Sequence, residues 1–165
     1  MAGNDPNLQL RPAAPGDVEL LLDMIRELAD YEQLSSEAVA DPEVVRSHLF
    51  GPTPRAEALV AEWAGAPAGF ALYFHSFSTF LGRPGLYLED LFIRPAFRRR
   101  GIARALLGRL ARIAVERDCG RMEWSVLNWN APAIAFYRQL GARPVEGWTV
   151  YRLTGAALGS LAETD

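Results

Sequence analysis

Glu89 and Asp90 sit inside an apolar run, "LYLEDLFI", and two carboxylates there can do chemistry on an amine. Alkyl amines have a pKa of about 10.4 and are mostly protonated at neutral pH. A carboxylate can bind such a cation and then take its proton, often through water. Just downstream come Arg94, Arg98, Arg99 and Arg100, then Gly101, at the start of an apolar helical pattern. A helix N-terminus presents unpaired N–H groups and a partial positive charge. Glycine lets the backbone approach closely and take a positive φ, and arginines add charge-assisted hydrogen bonds. By themselves these residues read either as an anion site suited to a pyrophosphate or as a solvated arginine run on a surface turn. The turn has neither the lysine of GxxxxGKS/T nor the glycines of GxGxxG, so it is not a P-loop or a dinucleotide fingerprint.

These groups need a sheet and helices to hold them. "LQLRPA" reads as a first strand stopped by Pro12. Val18, Leu21, Leu22, Ile25 and Leu28 then recur at helical spacing, with Asp17 placed to cap. Asp41 and Pro42 open a second helix in "DPEVVRSHLF". "EALVAEW", "GFALYFHSF" and "GLYLEDLFI" are strand-like, the first two joined by the turn "AGAPAG". Ile102, Leu106, Leu110, Ile113 and Ala114 trace the buried face of a long helix, and Arg104, Arg109, Arg112 and Glu116 take its wet face. "RMEWSVL" reads as another strand, "NWNAPAIAFYRQLGA" as a short helix ended by Gly141, and "WTVYRL" as a last strand. The order β-α-α-β-β-β-α-β-α-β predicts one α/β (α+β) domain over residues 1–165, a mixed sheet with helices on its faces.

The spacing carries a resemblance. "RRRGIA", Arg98 to Ala103, matches Q/R-x-x-G-x-G/A within strand, turn, amphipathic helix and strand, and "NAPAIAFYRQLGA" follows. From about Leu10 to about Leu153 the chain resembles the GNAT N-acetyltransferase superfamily, where that motif holds the pyrophosphate of coenzyme A. "LYLEDLFI", "WNAPAIAFYRQLGA" and "ELADYEQL" further resemble the spermidine/spermine (diamine) acetyltransferases and their thialysine-acetylating relatives. The fold this implies is a mostly antiparallel sheet whose splayed strands form an acetyl-CoA cleft.

The resemblance also implies roles. Acetyl-CoA is the co-substrate, and a primary amine of a small cationic acceptor attacks it directly in a ternary complex. The pyrophosphate lies against Arg98, Arg99, Arg100, Gly101, Ile102, Ala103 and Arg104. Main-chain groups of Leu91, Phe92 and Ile93 hold the acetyl-pantetheine arm like an added strand, and an N–H near Leu91 stabilises the oxyanion. Asn130 and Ala133 complete the cofactor set, and Asn130 also caps its helix. Tyr137 is the general acid: its unperturbed pKa of about 10 suits protonation of a thiolate whose pKa is near that of cysteine, about 8.5. Tyr31, Glu32, Glu123, Trp124 and Ser125 are implied acceptor contacts. Neighbouring strand residues point to opposite faces, so Glu89 and Asp90 share a cleft only if a bulge intervenes. Glu89 is placed in the cleft as the group that assists deprotonation, and Asp90 is kept as a secondary contact or structural partner.

Composition narrows the rest. The 165 residues are 50% hydrophobic with net charge −3, which suits one cored domain and gives no polycation for nucleic acid. The one cysteine, Cys119, rules out an internal disulfide and fits a cytoplasmic protein. "MAGNDPNLQL" lacks the pattern of a signal peptide, no apolar run reaches membrane-spanning length, and no metal constellation appears. The isolated His48 and His75 read as structural. The named relatives act as homodimers, so a dimer is implied. Other acceptors remain open, a protein N-terminus, a lysine side chain or an aminoglycoside, and so does a non-catalytic acyl-CoA-binding module.

Overall fold

The computed structural model describes residues 5–164. β1 (Leu8–Pro12), β2 (Glu57–Trp63), β3 (Ala66–Ser78) and β4 (Arg83–Ile93) pair antiparallel in sequence order, and β5 (Arg121–Trp124) joins β4 in parallel. Ala58, Leu59, Val60 and Ala61 of β2 are buried in succession. A strand buried on alternate residues of both kinds is covered on both faces.

One face carries α1 (Val18–Tyr31) and α2 (Pro42–Phe50). Leu21, Met24 and Leu28 of α1 and Leu49 of α2 pack with Ala58, Val60, Phe70 and Phe92 of the sheet. Tyr73 of β3 points the other way, beside Arg109 and Arg117 at α3 (Ile102–Glu116). It donates to Glu57 at 3.1 Å, and Arg117 pairs with the same carboxylate, pinning the end of α3 to the sheet. Asp41 caps α2 as its sequence suggests, accepting from the N–H groups of Glu43 and Val44, with Pro42 following. Asp17 stands at the N-cap of α1 but does not cap it: its carboxylate accepts from the Ala14 N–H and from Arg11, whose charge outcompetes the helix amides.

The chain divides into two compact units, residues up to Leu127 and residues from Asn128 onward. The second holds α4 (Ala131–Gln139), which Asn130 caps and which Gly141 ends at φ 86°, and α5 (Gly155–Ala162). Two expectations are corrected. "RMEWSVL" keeps its strand only to Trp124. "WTVYRL" forms no strand: it has no ladder partner among the described residues, and Trp148, Val150 and Tyr151 are exposed. Alternating apolar residues do not hold a strand without a neighbour to bond. The segment after it, "GAALGSLA", forms a helix in which Ala and Leu, good helix formers, outnumber Gly and Ser.

Candidate active site

The site is built around a bulge. Tyr87 lies opposite Phe74, Leu88 opposite Tyr73, and Asp90 opposite Leu72, so Glu89 has no partner on β3. The extra residue shifts the alternation. Phe74, Leu72 and Phe70 share one face of β3, so their partners Tyr87, Asp90 and Phe92 share that face of β4. Phe92 is buried in the α1–α2 core, which leaves only its backbone for a ligand. Asp90 is therefore on the α1 side, half-buried, while Glu89 is exposed at the bulge.

α1 brings the next groups. It ends at Tyr31 and Glu32, followed by left-handed Gln33 at φ 61°. Burial pushes the Glu32 carboxyl up. Burial, reinforced by the charges of Glu89 and Glu32, pushes the Asp90 carboxyl up to about 6. Three carboxylates thus converge, and a cation among them relieves their repulsion. A clamp sets the spacing: Arg94, at the end of β4, forks onto Glu27 of α1 with contacts of 2.7 and 3.1 Å and donates to the Pro67 carbonyl. Arg94 is thus a tie between strand and helix and no part of the anion turn.

β5 adds a second set on the same face. Gly85 aligns with Arg121 and Tyr87 with Glu123. Tyr87 and Ser125 hydroxyls are 2.9 Å apart, and Glu123 pairs with Arg121 at 3.0 Å. Trp124 aligns with Leu88, on the opposite face from Glu123 and Ser125. Nothing in "RMEWSVL" alone marks Arg121 for the site; its alignment with Gly85 across the strands does.

Parallel pairing with β5 covers only Gly85 to Leu88. Among the described residues no strand pairs with the far edge of Leu91, Phe92 and Ile93, so, apart from the Ile93 carbonyl, which accepts from Arg98, their outward backbone groups are open to an extended ligand. The turn that follows fits a pyrophosphate by its backbone. Arg99 and Gly101 are left-handed, at φ 65° and 76°, and no side chain caps the N–H groups of Ile102, Ala103 and Arg104. A Cβ at Gly101 would touch nothing within 4 Å, so the glycine is there for its φ. Arg98 lies over the Tyr31 ring at 4.9 Å and donates to the Ile93 carbonyl, and Arg100 lies over Trp63 at 5.0 Å. These two arginines are already oriented by aromatic faces.

In the second unit, Asn130 is buried and accepts from the Ala133 N–H at 3.3 Å. Tyr137 lies on α4, half-buried, its ring 5.5 Å from that of Phe136. Burial raises the Cys119 thiol, which disfavours a nucleophilic thiolate. Among the described residues no group of acids, histidines and cysteine is arranged to hold a metal, and no helix is long and apolar enough to cross a membrane.

Known proteins resemble this chain. Residues 22–142 match the acetyltransferase (GNAT) family. The chain is 37% identical over 166 residues to a thialysine N-epsilon-acetyltransferase of Bos taurus, covering 94% of this chain and 97% of that protein. It is 45% identical over 94 residues to an L-ornithine N5-acetyltransferase of Arabidopsis thaliana, 57% of this chain and 41% of that one. A Vibrio cholerae integron cassette protein superimposes with a TM-score of 0.79 at 25% identity, over 96% of this chain and 99% of that one. With an open mixed sheet, a bulged acidic strand and an uncapped glycine turn on α3, the chain belongs to the acetyltransferase (GNAT) family and is an N-acetyltransferase.

Proposed function

We propose that the whole chain works as one catalytic domain, transferring an acetyl group to a primary amine of a small cationic acceptor, lysine-like or a diamine. The observation that carries this is the convergence of Glu32, Glu89 and Asp90 beside the open edge of β4. A cationic amine is stabilised among the three charges. Glu89, exposed on the bulge, orients the ammonium and assists deprotonation. Asp90 takes the proton, directly or through water, because a carboxyl near 6 is matched to neutral pH.

Acetyl-CoA, as co-substrate, supplies the acetyl thioester. Backbone groups of Leu91, Phe92 and Ile93 hold its extended arm, and an N–H near Leu91 takes the developing oxyanion. The N–H groups of Gly101 to Arg104, with Arg98, Arg99 and Arg100 around them, hold the pyrophosphate. Asn130 orders the start of α4 through Ala133, and Tyr137 protonates the departing thiolate. Tyr31, Glu32, Glu123 and Ser125 contact the acceptor, and Trp124, on the other face of β5, does not. A cytoplasmic homodimer completes the reading, supported by the single cysteine and by exposed Trp148, Val150 and Tyr151 in the second unit.

An acceptor screen tests this: acetyl-CoA with putrescine, spermidine, lysine, thialysine and a short peptide, read by thiol release. Turnover with one or more small amines is expected. Turnover with the peptide alone would move the acceptor to proteins, and none with any amine would leave an acyl-CoA-binding module.

A further inference from the structure

We infer that Trp124, together with Leu88 and the Tyr87–Ser125 bridge, closes the inner end of the gap between β4 and β5 and limits the transferred acyl group to acetyl and propionyl. The inference rests on the acyl-transfer reading above and adds a gauge for the donor, independent of which amine accepts.

β4 and β5 part at one rung. Their pairing ends with Leu88 and Trp124, β5 ends as a strand at Trp124, and beyond it the outer edge of Leu91 to Ile93 has no strand partner among the described residues. The gap is open towards the glycine turn and closed at the Leu88–Trp124 rung. An arm that runs from the turn along this edge enters with its acyl end leading. With the acyl oxygen on an N–H near Leu91, the C=O bond lies across the strand and in the plane of the sheet, as a ladder bond does. The sulfur is then on the side of the turn, and the acyl chain points along β4 at the closed rung. The trigonal carbon turns one face to the α1 side, where Asp90 and Glu32 stand, and a nucleophile attacks perpendicular to that face. Acceptor and acyl chain thus occupy different directions.

The closed rung is apolar on one face of the sheet and bridged on the other. Leu88 and Trp124 face the α3 side, with Leu88 opposite Tyr73 and fully buried. Trp124 is half-buried, so of the two it keeps surface for a ligand. On the α1 side the Tyr87 and Ser125 hydroxyls, 2.9 Å apart, span the same two strands. Leu91 and Leu88 lie opposite Ala71 and Tyr73, two residues apart on β3, so an acyl carbon at Leu91 is about 7 Å from the rung. Carbon atoms in contact stay about 3.5–4.0 Å apart, which leaves about 3 Å for the chain. At about 1.5 Å per carbon–carbon bond, one or two carbons beyond the carbonyl fit and a third does not. Trp124 carries the largest side chain at the rung, so shortening it lengthens the space.

The experiment measures kcat/KM for acetyl-, propionyl-, butyryl- and hexanoyl-CoA with the fastest amine of the acceptor screen, and the calorimetric Kd of the same four donors. Wild type, Trp124→Leu and Trp124→Phe are compared. The wild type is expected to use propionyl-CoA within about tenfold of acetyl-CoA, and butyryl-CoA about thirtyfold worse or more. Trp124→Leu should raise the butyryl-to-acetyl ratio about tenfold, and Trp124→Phe should raise it by less. The Kd values should rank the donors in the same order. Equal use of butyryl- and acetyl-CoA by the wild type overturns the inference. So does an unchanged ratio in Trp124→Leu, or in Trp124→Phe where the leucine variant does not fold. Donor-selective Kd values in a protein that acylates no amine would overturn the acyl-transfer reading and leave this one standing. Transfer from all four donors alike would do the reverse.

Discussion

Tyr87 and Asp90 face the same side of β4 although they are three residues apart, because Glu89 is looped out of the ladder between them. In a regular strand they would point to opposite faces. The bulge turns Asp90 towards Glu32 of α1 and brings Tyr87, bonded to Ser125, onto the same wall.

Asp90 should set the acid limb of the pH profile. Wild-type kcat/KM is expected to rise with pH through about 6, where this carboxyl ionises. Asp90→Asn should remove that limb and lower kcat/KM about a hundredfold. Glu89→Gln should cost less than tenfold and keep the limb. The reverse ranking in steady-state kinetics would hand the proton to Glu89.

The same group predicts a stability change. Its folded-state pKa is raised from 3.8 to about 6, so its favourable contribution is complete below about pH 4 and is lost as pH rises through 6. Asp90→Asn should therefore be more stable than wild type at pH 8, by about 3 kcal/mol, and no more stable at pH 4. Urea unfolding at the two pH values measures the difference.

Tyr137→Phe should separate chemistry from binding. Loss of a general acid lowers kcat by about a hundredfold or more, while calorimetric affinity for acetyl-CoA stays within a few-fold of wild type. Unchanged turnover would remove Tyr137 from the mechanism.

The Arg94–Glu27 clamp positions α1 and contacts no acceptor in the proposed reaction. Glu27→Gln should cost about 1 kcal/mol of stability, since the pair is only partly buried. It should also raise the acceptor KM several-fold with the acetyl-CoA KM unchanged. If both KM values move together, the clamp supports the whole unit and not the acceptor end of α1.

Gly101→Ala should weaken acetyl-CoA without disturbing the core. The new methyl meets no atom within 4 Å, but φ 76° strains any residue with a Cβ, by about 1 kcal/mol. Relief of that strain tilts the first amides of α3 away from the phosphates. A rise of about tenfold in the acetyl-CoA Kd is expected by calorimetry, with a small change in Tm.

Much of this protein is local in its sequence. Periodicity in "VELLLDMIREL" and "IARALLGRLARIA" specifies α1 and α3, Asp41 and Pro42 specify the start of α2, and "RRRGIA" specifies an uncapped glycine turn. Each depends on residues within a turn or two of one another, so each is legible in a line of text. The departures have longer reach. "WTVYRL" has the apolar content of a strand, but a strand exists only through a partner's hydrogen bonds, which its own residues do not encode. Asp17 reads as a cap until Arg11 takes its carboxylate.

The acidic pair was legible as chemistry, and its division of labour was not. "LYLED" announces two carboxylates on an apolar strand and even the condition for their sharing a cleft, a bulge. Whether the bulge forms depends on how β3 and β4 register, and the Asp90 carboxyl near 6 depends on burial and on Glu32, far away in sequence. The alignment of Arg121 and Glu123 with Gly85 and Tyr87 likewise arises only when β5 docks on β4. The sequence by itself determined the helices, the anion turn and the kinds of chemistry present, because those follow from neighbours along the chain. The tertiary structure alone decided which face each charge occupies and how readily it ionises, because register and desolvation are set by residues that meet only on folding.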